Sequence, residues 1–188
     1  EWIGRESKRD TPFLAVVWFG SPHSPHRAAS RDRKPYAGQP VKNQHFLGEV
    51  TGMDRAFGKL RDALGPLGIR DNTILWYCGD NGTPAGGIVT SPFRGRKGTM
   101  YDGGIRVPGV IEWPAKISSS RVSNVNTVTS DILPTLCEII GRPVPNRPLD
   151  GISLKPLIEG KMVQRSEPIG FWSFNTGNAR GCLLYTSD

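Results

Sequence analysis

The sequence lacks the features that mark several large classes of protein. It has only 3 cysteines in 188 residues and no Cys-x-x-Cys pair, so neither a full disulfide framework nor a zinc finger is indicated. The longest apolar run, near Phe13–Phe19, falls far short of the roughly 20 residues that cross a bilayer. No signal peptide opens the chain, and Glu1 in place of Met suggests a piece of a longer protein. Cys78 and Cys137 stand in apolar segments and are expected to be buried.

Acidic residues are fewer than basic ones. Lys and Arg number 24 and Asp and Glu 17, which gives a net charge of +7. Such a chain suits an anionic partner, whether nucleic acid, anionic lipid, or a sulfated or phosphorylated substrate. The basic cluster Arg27, Arg31, Arg33 and Lys34 lies in a proline-rich stretch, residues 20–39. We interpret it as a solvated surface loop rather than a nucleic-acid site, because no aromatic residues interleave with the charges.

The order of apolar patterns predicts an α/β fold. Phe13–Phe19 is a continuous apolar run typical of a strand buried on both faces. Residues 43–64 repeat apolar positions at helical spacing, and 73–78 form a second β-rich run. Strand, helix and strand in this order indicate a βαβ unit in a mixed, mostly parallel sheet flanked by helices. Further elements are predicted at 107–113 (strand), 131–140 (helix) and 153–158 (a helical turn).

Residues with chemical potential follow the two predicted strands. Asp80 and Asn81, between two glycines, offer the oxygen ligands that hard cations prefer. Lys97 lies among glycines and could reach an oxyanion if its loop folds back toward Asp80. His23 follows the first strand, where it could act in acid–base chemistry. Each also has a purely structural interpretation. Asp80 and Asn81 could simply cap a turn, Lys97 could lie in a solvated basic loop, and His23 could be an ordinary loop histidine.

A series of short motifs gives these residues a family context. The sequence resembles a type I sulfatase, of the arylsulfatase A-like kind in the alkaline phosphatase superfamily, from about Pro12 to Phe174. The motifs that carry the resemblance are Pro22–Pro25, Gly52–Asp54, Asp71–Thr73, Asp80–Gly82, Arg94–Thr99, Gly103–Pro108, Trp113–Pro114, Asp131–Leu136 and Asp150–Leu154.

The resemblance implies a mechanism and residue roles. The family hydrolyses organic sulfate esters to inorganic sulfate, using a formylglycine nucleophile and one divalent cation, typically calcium. Asp80 and Asn81 match two of the metal ligands. Lys97 matches the sulfate-binding lysine, and His23 matches the histidine at the sulfate and leaving-group oxygen. Cations and hydrogen-bond donors aimed at the developing charge would lower the barrier.

The nucleophile motif is missing from this sequence. The family makes formylglycine from Cys or Ser in Cys-x-Pro-x-Arg, and none of the three cysteines has Pro two residues later. The first half of the site, including the formylglycine, is therefore expected upstream of Glu1, and the chain alone is expected to be inactive. A phosphate mono- or diester hydrolase of the same superfamily and a non-catalytic truncated product stay as alternatives.

Domain boundaries, partners and location complete the expectations. Residues 1–165 are predicted to be the second half of the core, 166–180 the start of a C-terminal subdomain with a small antiparallel sheet, and 181–188 a non-native tail. The expected partner is a sulfated small molecule or a sulfated polysaccharide, with no nucleic acid and no membrane. By resemblance the parent protein is periplasmic or secreted.

Overall fold

The computed structural model describes residues 1–84, 91–171 and the backbone of 183–185. The chain forms two compact units, Glu1–Pro114 and Ala115–Asp188. The predicted boundaries at 165 and 180 stay predictions.

A long helix is the main element of the first unit. Helix α3, Val41–Ala63, is preceded by two shorter helices, α1 (Trp2–Glu6) and α2 (Ser30–Arg33). The predicted apolar stripe faces inward, and its first and last members, Phe46 and Leu64, are buried. Gly65-Pro66 follows the helix, where the missing proline N–H prevents its continuation. The helix prediction is therefore confirmed to within two residues at each end.

The sheet of the first unit consists of two antiparallel strands. Strand β1, Leu75–Cys78, pairs with β2, Gly109–Glu112, and helix α4, Asp102–Ile105, lies between them in sequence. Leu75 is opposite Glu112, and Cys78 is opposite Gly109. Both strands lie where the sequence predicts them. Cys78 is exposed and Cys137 is partly exposed, so the expectation that both are buried was wrong.

The predicted first strand does not form. Within the described part of the chain, residues 12–20 are in neither helix nor strand, and the βαβ unit expected from them is absent. An apolar run predicts burial, but a strand also needs a neighbouring backbone to accept its hydrogen bonds. Residues 13–19 are an apolar segment outside helix and strand, and Trp18 is 92% exposed.

The basic stretch after His23 is more ordered than a solvated loop. Helix α2 continues into a 3-10 turn, Lys34–Tyr36, and this segment packs against α3. Asp32 is buried beside Arg55, and both Asp32 oxygens accept hydrogen bonds from the Arg55 guanidinium. The interpretation of residues 20–39 as loop throughout was therefore wrong. The ion pair between Asp32 and Arg55 fastens the short helix α2 to α3 and so stabilises it within a proline-rich stretch.

The second unit is built around a buried polar cluster, in which the Arg165 guanidinium donates to both side-chain oxygens of Asp131. A 3-10 turn at Thr129–Asp131 leads into α5, Ile132–Ile139, and α6 follows at Lys155–Ile158. Strand β3, Ile169–Phe171, pairs antiparallel with β4, Leu183–Tyr185. Strand β4 lies within residues 181–188, the segment predicted to be a non-native tail. The sheet was expected to begin at residues 171–174: Phe171 is the last residue of β3, and residues 172–174 lie outside the described residues.

None of the helices in the described residues combines the length and the apolar character that crossing a membrane requires.

Candidate functional site

The candidate site begins where β1 ends. Gly79 extends the pairing of β1 with β2 by one residue, because its N–H donates to the carbonyl oxygen of Pro108, just before β2, at 3.2 Å. Asp80 then projects as an exposed side chain, and Asn81 is partly buried. The Asn81 amide nitrogen donates to the Gly82 carbonyl oxygen at 3.0 Å. This bond turns the amide so that its oxygen is the atom left over for another ligand.

A second loop folds back onto this turn. The Gly82 N–H donates to Gly104 O at 2.8 Å, and the Thr83 N–H donates to Gly103 O at 3.0 Å. The Lys97 N–H donates to Thr83 O at 2.8 Å. Two of these backbone hydrogen bonds join the Asp80 turn to helix α4, and the third joins it to the loop that carries Lys97. We call residues 80–83 and 94–99 together the Asp80–Lys97 cluster.

Glycines make this close approach possible. A side chain on Gly82 would overlap the Gly103 carbonyl group, and a side chain on Gly104 would overlap the carbonyl oxygen of Thr99. Gly95 and Gly98 both have a φ of 85°, which L side chains rarely adopt. The glycine content of the sequence signalled an unusual loop, but the partners of each glycine could not be read from it.

Two cation–π contacts flank the lysine. The Arg94 guanidinium lies 3.9 Å from the centre of the Tyr101 ring, and that of Arg106 lies 4.7 Å from the centre of Phe93. Lys97 is exposed, and no acidic partner for its ammonium group exists among the described residues. Arg94 and Arg106 are therefore held against rings, whereas the Lys97 ammonium group has no such contact among the described residues.

His23 lies in a loop of its own. Its ring Nδ1 donates to the Ser24 carbonyl oxygen at 2.8 Å, and its N–H donates to Gly20 O at 3.1 Å. The side chain is exposed, and Nε2 is the ring nitrogen left for a ligand. Both hydrogen bonds are local, so the placement of His23 with the Asp80–Lys97 cluster stays a prediction.

Helix α3 holds the far end of the His23 loop. Glu49 accepts hydrogen bonds from the Arg27 N–H at 2.5 Å and from His26 Nδ1 at 3.5 Å. The His45 Nδ1 accepts from the Ala28 N–H at 3.2 Å. Glu49 and His45 are four residues apart, so they share one face of the helix. Sequence reasoning missed this anchor, and the helical spacing of the two side chains was the only signal that could have revealed it.

The oxygen atoms of the cluster fit part of a metal site. Asp80 supplies a carboxylate and Asn81 an amide oxygen, the ligand type that calcium prefers. Calcium takes about 6–8 oxygens, so these two residues could supply only a share of its ligands. Among the described residues no group of three or more His, Cys, Asp or Glu could hold a metal ion.

Comparison with known proteins gives one consistent result. The sulfatase family model matches residues 1–141. Steryl-sulfatase of Rattus norvegicus is 35% identical over 169 residues, which cover 85% of this chain and 28% of that protein. Arylsulfatase A of Homo sapiens is 29% identical over 182 residues, which cover 93% of this chain and 34% of that protein. The chain therefore spans only a minor part of these relatives.

Solved structures agree at the level of the fold. Ps i-CgsB, in a crystal structure with k-i-k-neocarrahexaose, superimposes with a TM-score of 0.82 at 27% identity. The match covers 90% of this chain and 38% of that one. The neighbour confirms the predicted fold class, part of the α/β core of an alkaline phosphatase-like sulfatase. Since the family model matches well over half of the sequence and the fold agrees, this chain belongs to the sulfatase family.

Proposed function

We propose that the Asp80–Lys97 cluster is the metal-binding and sulfate-binding part of a sulfatase active site. The reaction is the hydrolysis of an organic sulfate ester to inorganic sulfate. One observation carries the proposal: the hydrogen bond from the Lys97 N–H to Thr83 O, at 2.8 Å. It joins the loop of Lys97 to the turn that follows Asp80 and Asn81, and this supports the proposal. A lysine, a carboxylate and an amide oxygen in one site would bind a cation and an anion together.

Each residue has a role that its surroundings support. Asp80 and Asn81 would hold a divalent cation, calcium by family, and the ion when bound supplies a positive charge for the sulfate oxygens. Lys97 places an ammonium group at the sulfate, where charge grows as the S–O bond breaks. His23, with Nδ1 tied to Ser24, presents Nε2 to hold the proton that the departing oxygen needs.

The nucleophile is assigned to a segment outside these 188 residues. A formylglycine needs its Cys-x-Pro-x-Arg or serine equivalent, and this sequence has neither. The 188-residue chain by itself is therefore proposed to release no sulfate. Export to the periplasm or the cell exterior is part of the same proposal and rests on the family alone.

A sulfated carbohydrate or a sulfated small molecule is the proposed substrate class. One structural neighbour, Ps i-CgsB, was crystallised in complex with k-i-k-neocarrahexaose, and three of the matching relatives are steryl-sulfatases. These relatives support both kinds of substrate.

Paired chromogenic esters test the reaction. The 188-residue chain should hydrolyse neither 4-nitrophenyl sulfate nor 4-nitrophenyl phosphate. A longer form that carries the nucleophile should hydrolyse the sulfate, lose activity to a chelator and regain it with calcium. Faster hydrolysis of the phosphate would favour the phosphate ester hydrolase instead.

Asp80→Asn tests the metal assignment in the same active form. The variant should need a higher calcium concentration for half-maximal activity, because it removes one negative ligand. Asp71→Asn is the matched control, an exposed aspartate shortly before β1. Equal calcium requirements for the two variants would contradict the metal role of Asp80.

A further inference from the structure

The segment that follows His23 has an exposed face made of cations. Arg27, Arg31, Lys34 and Lys42 are all exposed, and we call these four residues the basic patch. Residues 27–55 contain six Lys or Arg and three Asp or Glu. The composition alone gives a modest excess of positive charge, and the fold decides which charges reach solvent.

Two of the three acids in this stretch, Asp32 and Glu49, are turned inward and neutralised within the fold, whereas Asp54 is exposed. Asp32 is buried and accepts a forked pair of hydrogen bonds from Arg55, which lower the pKa of the Asp32 carboxyl group. Its oxygen lies 3.8 Å from Arg31 Nε, a longer contact than the bonds to Arg55. The Glu49 side chain is only 10% exposed and is held by the N–H of Arg27 and the ring of His26. Between Arg27 and Lys42 the exposed charged side chains are therefore all cations.

The backbone that carries the basic patch is held in a fixed shape. Arg31 and Lys34 are three residues apart on continuous helical turns, so both project to one side. Between them Arg33 turns inward, where its Nη1 lies 2.9 Å from His45 Nε2. The Gln44 amide donates to Ala37 O at 3.3 Å and to Gln39 O at 2.7 Å, which fixes the turn that leads to Lys42. Because the backbone that carries these cations is already ordered, less conformational freedom is lost when they bind a polyanion than in a flexible segment.

The chemistry of the patch selects among polyanions. Single-stranded nucleic acid binds on aromatic rings that stack with its bases. Tyr36, the one aromatic residue between Arg27 and Lys42, is half-buried, and its hydroxyl group is hydrogen-bonded to Thr51 Oγ1 at 2.7 Å. The patch therefore offers point charges without a stacking platform. A chain of sulfate groups on a sugar backbone needs point charges only.

We infer that the basic patch binds an extended sulfated polysaccharide. The choice of sulfate over other anions rests on the proposed function, and the loop of His23 leads directly into the patch. The patch would hold neighbouring sulfate groups of a polymer while one ester is hydrolysed. This inference adds a polymer-binding surface to the site and favours a polymeric substrate over a small sulfate ester.

Binding to dextran sulfate tests the inference in the 188-residue chain, without any need for turnover. Uncharged dextran is the matched probe, and duplex DNA of similar charge is the competitor. The variant Arg27→Gln/Lys34→Gln/Lys42→Gln should raise the Kd for dextran sulfate at low salt by about tenfold or more. The slope of log K against log salt should fall by about three, roughly one for each cation removed.

A charge-matched variant separates the patch from the net charge. Lys8→Gln/Lys59→Gln/Lys116→Gln removes three exposed lysines that lie outside the patch. It should change the Kd less than about twofold, because salt screens distant charges. Equal losses in the two variants would overturn the inference, and so would binding of dextran or tighter binding of duplex DNA. Lys97 lies outside the patch, so the two proposals are tested separately. Failure of dextran sulfate binding would not contradict the proposed reaction. The Lys97→Ala substitution should leave dextran sulfate binding unchanged even where it lowers turnover.

Discussion

At the scale of single residues, two charged side chains show how surroundings decide a role. Asp131 is completely buried, and its two oxygens accept hydrogen bonds from the Arg165 guanidinium at 2.8 Å each. The same oxygens accept the N–H groups of Val128 and Ile152, also at 2.8 Å. Lys97, in contrast, is exposed and free of acidic partners among the described residues. The first side chain serves structure, and the second is available to a ligand.

Asp131→Asn should destabilise the second unit by about 3–5 kcal/mol. The change removes the negative charge that compensates buried Arg165, whose Nε already lacks a partner. Hydrogen exchange of the Leu154 amide, which donates to Thr135 Oγ1 at 2.8 Å, reports on opening of this cluster. Asp150→Asn is the same chemical change at an exposed position and should stay within about 0.5 kcal/mol. Equal exchange rates in both variants would show that the pair adds no stability.

Lys97→Ala should reduce kcat/KM for an aryl sulfate by about 10²–10³, in a form of the protein that carries the nucleophile. Its thermal midpoint should hardly move, because an exposed charge contributes only about 0–1 kcal/mol to stability. The control is Arg96→Ala in the same loop, where the hydrogen bonds to Thr99 use the Arg96 backbone. Turnover of Lys97→Ala equal to that of the parent would remove this lysine from the site.

At the scale of elements, the two loops of the candidate site depend on each other. Gly82 and Gly104 form a backbone hydrogen bond at a separation that leaves no space for side chains. Gly104 belongs to helix α4, and the Gly103 N–H of the same helix donates to Arg94 O at 2.8 Å, so α4 holds the Asp80 turn as well as the Lys97 loop.

Gly104→Ala should therefore cost about 1–3 kcal/mol through overpacking. The added methyl group would overlap backbone oxygens of Arg96 and Thr99, which cannot turn away as a side chain could. In an active form, the displaced loop should also lower turnover of the aryl sulfate. Gly109→Ala is the control, since no heavy atom lies within 4 Å of the added carbon. Unchanged stability and turnover in Gly104→Ala would show that the loops can separate without loss.

Helix α3 and strand β2 are joined by a charged contact that makes the first unit sensitive to acid. Glu112 accepts hydrogen bonds from Arg61 at 2.5 Å and Arg70 at 3.2 Å. The bond from Arg61 is the main reason that the pKa of Glu112 lies below its ordinary value of 4.5. The folded state therefore favours the ionised carboxylate. Its stabilising effect is complete above the ordinary pKa and is lost as the pH falls through the lower pKa of the folded state.

Glu112→Gln should lower the thermal midpoint at pH 7, and its difference from the parent should shrink below about pH 4.5 as the carboxylate of the parent takes up a proton. Thermal scans between pH 7 and pH 3 measure both effects. Asp71→Asn, which removes an exposed carboxylate in the same unit, is the comparison. A constant difference between Glu112→Gln and the parent at all pH values would contradict the proposed contribution.

At the scale of the whole molecule, the exposed apolar segment is the main departure from an ordinary folded surface. Val16 is 68% exposed and Trp18 is 92% exposed. Residues 14–17 also line an apolar groove together with α1 and the end of α3. Contiguous apolar surface of this kind favours association and weakens folding.

The purified chain should therefore bind a hydrophobic dye and unfold over a broad temperature range. Val16→Lys/Trp18→Lys should reduce the dye signal, because it places charge within the segment. Val122→Lys is a control at an isolated valine that is 94% exposed. A sharp cooperative transition without dye binding would show that the segment is covered in solution.

The sequence by itself determined the elements that depend on local pattern. Helix α3 follows from its apolar spacing, β1 and β2 from short β-rich runs, and α5 from an apolar stretch that ends at Gly141. Glycines around Asp80 and Lys97 marked the candidate site, because a backbone that must turn tightly needs them at known positions.

Only the tertiary structure decided which segments meet. The apolar run 13–19 formed no strand, since strand formation depends on a partner backbone that spacing cannot reveal. The bond between Lys97 and Thr83, the anchor at Glu49 and the burial of Asp131 against Arg165 join residues that are far apart in sequence. Such contacts form when chain segments pack together, so their energies belong to the folded state and leave no periodic trace in the sequence.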